Sequence, residues 1–366
     1  MLSRGVLRAL VTRAMVVGSI ILLVGFGQTG LASSPERIRF VPAGCNPVLV
    51  PGQPGAWDGG VVFLPKVVQM EEVIYMFYTG TSGAVPEMGA PAIGVAASSD
   101  GLVFFKFDGN PLLEATGTGF AAYSVSEGVP FIDRDTFILL YNARSSEGHG
   151  PGRFIGRATA PDPMGPWTHD REPVLMVGPE GAWDCGFVSP NCVVVTDEGY
   201  ALYYSGGKSF TSGEPRWLGM ATSPDGINWT KYDEPQTMGP AFVESAPVLQ
   251  LGPAGSWDSL AAWEASVLKT ETGYEMFYEG IGPVDTPIGH AVQIGYATSV
   301  DGIHWLKHEK NPILGLGVEP LAESFGVEVP SVVANKCYHY LYYGYGLHIG
   351  VIGVALGTVS EEVRGE

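Results

Sequence analysis

Short apolar runs recur along the chain, each bounded by glycine, proline or aspartate. Five of them are aromatic: Tyr75-Met76-Phe77-Tyr78, Leu139-Leu140-Tyr141, Ala201-Leu202-Tyr203-Tyr204, residues 274–278 and residues 340–343. Aromatic runs of this length between turn residues predict strands. A second phrase, Ile-Gly-x-Ala-x-Ser-x-Asp-Gly-x-x-Trp, follows at residues 93–104, 218–229 and 294–305, with a variant at 155–167 and a truncated copy from Ile352. A third phrase is Asn46-Pro47-Val48-Leu49, repeated as Asn110-Pro111-Leu112-Leu113, Glu172-Pro173-Val174-Leu175, Ala246-Pro247-Val248-Leu249 and Asn311-Pro312-Ile313-Leu314. A fourth, Gly-x-Trp-Asp, stands at residues 55–58, 181–184 and 255–258.

These phrases order into one unit. Strand A follows Trp-Asp, strand B is aromatic, strand C carries Ile-Gly-x-Ala, and strand D follows a turn. Four antiparallel strands repeated radially make a propeller blade, and self-similarity of this kind is foreign to a β-sandwich. The fold class predicted is all-β, a five-bladed β-propeller occupying residues 33–366 as one domain. The fifth unit has no strand D of its own. The orphan segment 38–50 is expected to pair near Ile352 and close that blade, which removes an exposed sheet edge.

Residues 1–32 read as a signal peptide: Arg4, Arg8 and Arg13 precede an apolar run that ends near the small-residue site Gly30-Leu31-Ala32. A secreted or periplasmic protein is therefore expected, with no membrane association beyond the leader. The chain carries 38 acidic against 20 basic residues, a net charge of −18, and loss of the leader makes it more acidic still. Nucleic-acid binding needs basic surface and is not expected. A monomer is expected. Cys45, Cys185, Cys192 and Cys337 could pair in an oxidising compartment, Cys185 with Cys192 being the most local choice. No spacing resembles a metal site. No cofactor is called for, a structural calcium ion in the channel being the one ion considered.

Ligands of a propeller bind where the A strands meet. The turn residues Asp100, Asp225 and Asp301 are explained by turn chemistry alone. Glu127, Glu264 and Glu328 stand on or near strand A without sharing a clean register, and Asp58 opens the first blade. Acids that converge on a channel are candidates for general acid and base work, because glycoside hydrolysis needs two carboxyl groups across the scissile bond. Asp58, Glu127 and Glu264 are the predicted catalytic residues. Asp58 also occupies the repeated Trp-Asp position, for which blade capping is the plainer explanation. Arg144, Lys208 and His290 in B–C loops, with Asp184 and Glu328, are the predicted substrate-binding residues.

The repeat resembles the five-bladed glycosidase superfamily: the arabinanase and β-xylosidase family (glycoside hydrolase family 43), the invertase and levansucrase family, and the mannoside phosphorylases. The resemblance covers residues 33–366 through the aromatic strands and the Ile-Gly-x-Ala phrase. It implies an Asp base on the first blade, a second Asp that tunes and orients, and a Glu acid in a Glu-Gly-Pro or Glu-Ala-Pro phrase. Glu264-Ala265-Ser266 is similar to that phrase with Ser for Pro, and Glu127-Gly128-Val129-Pro130 is similar with one insertion. Asp58 is not followed by Pro, and the invertase Asn-Asp-Pro-Asn-Gly and phosphorylase Glu-Asp-Pro-Arg motifs are absent. The expected function is glycoside hydrolysis with a carbohydrate substrate, Glu264 as acid, Asp58 as base or nucleophile and Glu127 assisting. The alternatives are a non-catalytic carbohydrate-binding propeller and a glycoside phosphorylase.

Overall fold

The computed structural model describes residues 37–360, apart from 84–88, 147–151, 211–212, 235–238, 243, 284–289, 316–325, 336–337 and 346–349. The leader lies outside the described residues. Among those residues the regular structure is strand with two short 3-10 turns, so the class is all-β.

The strands fall into five units of one pattern. The first is β2 (Val61–Met70), β3 (Val73–Thr81), β4 (Ala92–Ser98) and β5 (Phe105–Lys106), paired in that order. The second is β6 (Ser124–Asp133), β7 (Thr136–Arg144) and β8 (Phe154–Ala160), with the two-residue strands β9 (Thr168–His169) and β10 (Leu175–Met176) both on β8. The third is β11 (Phe187–Thr196), β12 (Gly199–Gly207), β13 (Arg216–Ser223) and β14 (Thr230–Lys231). The fourth is β15 (Ala261–Lys269), β16 (Tyr274–Pro283), β17 (His290–Ser299) and β18 (Leu306–Lys307). The last contains β19 (Glu328–Ala334), β20 (His339–Tyr345) and β21 (Val351–Ser360), and its fourth strand is β1 (Arg37–Pro42) from the other end of the described chain. β1 runs antiparallel to β21 from Arg37 opposite Ser360 to Pro42 opposite Ala355, and Leu49 bridges Ile352. The segment expected to pair near Ile352 does so, although a turn at Ala43–Pro47 divides it.

The first strands touch one another in sequence: β2 packs on β6, β6 on β11, β11 on β15, β15 on β19, and β19 on β2. A short parallel pairing of Arg216 and Trp217 with Ala261 and Ala262 joins the third and fourth units edge to edge. Apolar clusters fill the spaces between neighbouring units. Met76 and Tyr78 of the first, for example, share a cluster with Tyr342 and Val354 of the last.

The repeated phrases now have physical explanations. In each Ser-x-Asp-Gly turn the aspartate accepts two backbone N–H groups, as Asp225 does from Ile227 at 2.9 Å and Asn228 at 2.8 Å. The glycine that follows, Gly226 at φ +70°, takes the left-handed conformation that the turn needs. In each Asn-Pro phrase the side-chain amide acts as one more strand partner. Asn110 accepts from Val95 N–H at 3.0 Å and donates to its carbonyl at 2.9 Å, and Asn46 and Asn311 do the same on Val354 and Tyr296. Cys45, Cys185 and Cys192 are free thiols, so the local pairing of Cys185 with Cys192 is not formed. Cys337 lies outside the described residues.

Candidate active site

Every first strand carries a register shift against its second strand. The shifts fall between Phe63 and Lys66, Ser126 and Val129, Pro190 and Cys192, Trp263 and Ala265, and Glu328 and Ser331. A bulge inserts an unpaired residue and re-aims its side chain. The residues freed this way include Leu64, Glu127, Asn191, Glu264 and Val329, so Glu127 and Glu264 occupy corresponding places after all. Leu64, Glu127 and Val329 have φ of 53°, 55° and 52°. Non-glycine residues held there store strain, which persists only where surrounding packing enforces it.

At three of the five bulges the re-aimed residue is polar, and all three are buried: Glu127, Asn191 and Glu264. The fourth partner is Lys66, which follows the first bulge and is 2% exposed. Its Nζ lies 3.0 Å from Glu127 Oε1 and 3.4 Å from Glu264 Oε2. Asn191 donates to the same Glu264 oxygen at 2.8 Å, and its own carbonyl accepts from Ser205 Oγ at 3.0 Å. Ser205 Oγ in turn accepts the Glu264 backbone N–H at 3.0 Å. On the other side Ser189 Oγ bonds Glu127 Oε2, and Thr79 Oγ1 accepts the Glu127 backbone N–H at 2.8 Å. Lys66, Glu127, Asn191 and Glu264 belong to four different first strands.

Two carboxyl groups and one ammonium share this volume. Burial first, then the adjacent Glu127 with which it shares a hydrogen bond, hold Glu264 well above the usual carboxylate range, against the pull of Lys66. Burial alone would lower Lys66, but Glu127 and Glu264 keep it above the ordinary lysine value. A carboxyl group raised in this way keeps its proton to higher pH than an ordinary glutamate.

Next to it, Glu279 on β16 is 3% exposed and accepts Trp263 Nε1–H at 2.7 Å and the Val329 backbone N–H at 2.9 Å. Burial, then Glu328, push it up to about 7 against those bonds. Glu328 is raised by its enclosure, although its side chain is solvent-accessible; a group facing an opening walled by protein experiences both.

Of the expected catalytic residues, Glu127 and Glu264 meet and Asp58 does not join them. Asp58 accepts Tyr78 Oη–H at 3.0 Å and pairs with Lys106 at 2.5 Å. Asp184 has the same partners in Tyr204 at 3.2 Å and Lys231 at 2.5 Å, and Asp258 in Tyr278 at 3.1 Å and Lys307 at 2.6 Å. Each lysine also lies over the ring of its tyrosine. A set repeated three times braces the fourth strand of a unit to its second. Asp58, expected as a base, and Asp184, expected as a substrate ligand, thus both lie in braces apart from the Glu127–Glu264 pair, and Asp184 is fully buried within its brace.

Arg144 is half-buried at the end of β7, opposite Ser124 on the strand that carries Glu127, and burial lowers its pKa. Lys208 is exposed just beyond β12. The His290 backbone pairs with Pro283. Sequence reasoning missed Lys66, Ser189, Asn191 and Ser205. The available signal was a lysine within the apolar run Val61-Val62-Phe63-Leu64-Pro65-Lys66-Val67-Val68. Among the described residues no group of three His, Cys, Asp or Glu side chains is placed to hold a metal ion.

No family model matches the chain. Two curated relatives, the uncharacterised proteins Rv1502 and MT1551 from two strains of Mycobacterium tuberculosis, are each 23% identical over 338 residues, covering 90% of this chain and 80% of theirs. Among solved structures, a glycosyl hydrolase from Bacteroides ovatus superposes with a TM-score of 0.62 at 18% identity, covering 89% of this chain and 94% of its own. A structure from the GH130 family of mannoside phosphorylases, which contains glycoside hydrolases that target β-1,2 mannosidic linkages in Candida mannan, gives 0.63 at 18%, covering 87% and 93%. A thermostable family-43 glycoside hydrolase gives 0.59 at 17%, covering 88% and 97%. The chain shares the fold of these proteins over almost its whole described length.

Proposed function

We propose that this chain is a secreted five-bladed β-propeller that hydrolyses glycosidic bonds, with Glu264 as general acid and Glu127 as the second carboxyl group. The observation that carries the proposal is the buried Glu127–Lys66–Glu264 array at the bulges of the first strands. Burial and the neighbouring carboxylate keep a proton on Glu264, which gives a leaving glycosidic oxygen what it needs. Glu127, held by Ser189 and Lys66, is the candidate base or nucleophile, and it must part from its hydrogen-bond contact with Glu264 before a glycosidic bond can lie between the two. Lys66 compensates the charge that remains on the pair after proton transfer. The cycle of contacts among first strands and the pairing of β1 with β21 support the ring, and the carbohydrate-active neighbours support the substrate class. Secretion rests on the leader.

The test is a screen of aryl arabinosides, xylosides, fructosides, galactosides and mannosides for release of the aryl group. Failure of every glycoside, including natural oligosaccharides, would sink hydrolysis. A second reading, sugar binding without cleavage, is favoured by one observation: the first unit presents Leu64 and Lys66 where the resemblance implies an acid. Oligosaccharide binding without turnover would decide for it. Ring closure has its own test: deleting residues 33–50 is expected to abolish a cooperative thermal transition, and an unchanged melting curve would exclude it.

A further inference from the structure

A cavity of about 200 Å³ opens at the junction of the third and fourth units, lined by Phe210, Glu214, Arg216, Leu260, Ala261 and Ile281. It is smaller than the roughly 300–1,000 Å³ of a pocket for a drug-sized ligand, so it admits one compact group such as a single sugar ring. Ala261 and Glu264 lie three residues apart on β15, which at about 3.3 Å per residue puts the cavity on the order of 10 Å from the proposed acid. One oligosaccharide can reach both.

Arg216 is the unusual wall of this cavity. Its guanidinium carbon lies 4.5 Å from the Phe210 ring centre and 4.8 Å from that of Trp263. Two aromatic faces therefore fix the plane of the group. Nη2 donates to the Phe210 carbonyl at 3.3 Å, while Nε is buried with no hydrogen-bond partner. Among the described residues no carboxylate lies within ion-pair distance of it; the nearest acids acting on it are Glu279 and Glu264. Glu279 uses its oxygens on Trp263 and Val329, and Glu264 uses an oxygen on Asn191 and Lys66. A half-buried cation with an unsatisfied donor is costly unless something pairs with it.

We infer that Arg216 is the anchor of a subsite for an acidic sugar, taking the carboxylate of a uronic acid into the cavity. A guanidinium fork held flat matches a carboxylate, and the exposed Phe210 ring that lines the cavity matches the apolar face of a sugar ring. Exposed Glu214 at the same cavity accepts sugar hydroxyls, which a carboxylate can do without a proton of its own. The inference rests on the carbohydrate reading above but needs no turnover.

The experiment is an NMR titration of the full protein with galacturonate, glucuronate, galactose, glucose, acetate and inorganic phosphate. Uronates are expected to bind at least tenfold more tightly than the neutral sugars and than acetate or phosphate. Arg216→Met is expected to erase that preference and Arg216→Lys to retain part of it, with melting curves confirming that both variants fold. Equal binding of neutral and acidic sugars would overturn the subsite and leave the carbohydrate reading standing. Phosphate or acetate binding as tightly as uronate would mark a general anion site and overturn it. So would an undiminished uronate preference in folded Arg216→Met, or no binding of any sugar.

Discussion

Two regions use the same chemistry, lysine against carboxylate, to opposite ends. In the braces, Lys106, Lys231 and Lys307 each meet one aspartate and one tyrosine, and the arrangement recurs in three units. The lysine side chains there are 16–27% exposed. At the centre a single lysine meets two glutamates that come from different units, with all three buried. A repeated pair neutralises itself and ties the second and fourth strands of one unit together. The central set breaks the repeat at equivalent bulges and leaves a carboxyl group protonated. Charge that follows the repeat serves the fold, and charge that departs from it at equivalent positions is available for chemistry.

The sharpest way to break that contrast is Lys66→Met. Removing one member of a buried ionic set is expected to cost about 3–5 kcal/mol in unfolding free energy. It also removes the cation that opposes protonation of Glu264. A general acid works while protonated, so activity is lost as pH rises through its pKa. Without Lys66 that pKa climbs, and the alkaline limb of the rate profile should move to higher pH. A limb that stays in place would separate Glu264 from the acid step.

Glu264→Gln is expected to lower turnover by at least about 10²-fold, near 2.7 kcal/mol in barrier, with the melting curve little changed. Asp258→Asn, which touches only a brace, should leave turnover close to that of the unmodified protein. If both changes affect rate alike, the division between regions fails.

Glu279 tests the edge of the central set by pH. Its pKa of about 7 lies above the ordinary glutamate value of 4.5, so the folded state binds more protons than the unfolded chain between those values. The stability this contributes is complete below about pH 4.5 and is lost as pH rises through 7, about 3 kcal/mol in all. Glu279→Gln should flatten the dependence of melting temperature on pH across that window. An unchanged slope would place the titrating group elsewhere.

The smallest effect is expected in the braces. Asp58→Asn and Asp258→Asn should each cost about 1–2 kcal/mol, because the buried tyrosine hydroxyl keeps a partner while the lysine is already partly solvated. The two should behave alike in denaturant melts and in turnover. A selective loss of turnover in Asp58→Asn would restore it as the base.

Much of the strand order was legible because it is written several times. Three copies of the Ser-x-Asp-Gly turn and five aromatic strands set the spacing of the units, and the missing fourth strand of the last unit pointed to residues 38–50 as its partner. The Trp-Asp phrase and the implied first-blade base coincide in one residue, Asp58, so the sequence could not separate the two roles, and the structure shows it in a brace. Lys66 escaped notice because its one local signal, a lysine within an apolar run, does not say which carboxylates it meets.

The sequence by itself determined the four-strand unit, its turns and the partner of the last unit's third strand, since each follows from local conformational preference and from periodicity. Only the tertiary structure decided which charges meet. A bulge displaces a strand's side chains by one position, and that displacement brought Glu127 and Glu264 into correspondence, with Asn191 one position further along its own strand, although their spacing along the chain does not show it. The raised proton affinity of Glu264 follows from the same cause, because desolvation and the approach of Glu127, which outweigh the opposing pull of Lys66, exist only when strands from separate units face one another.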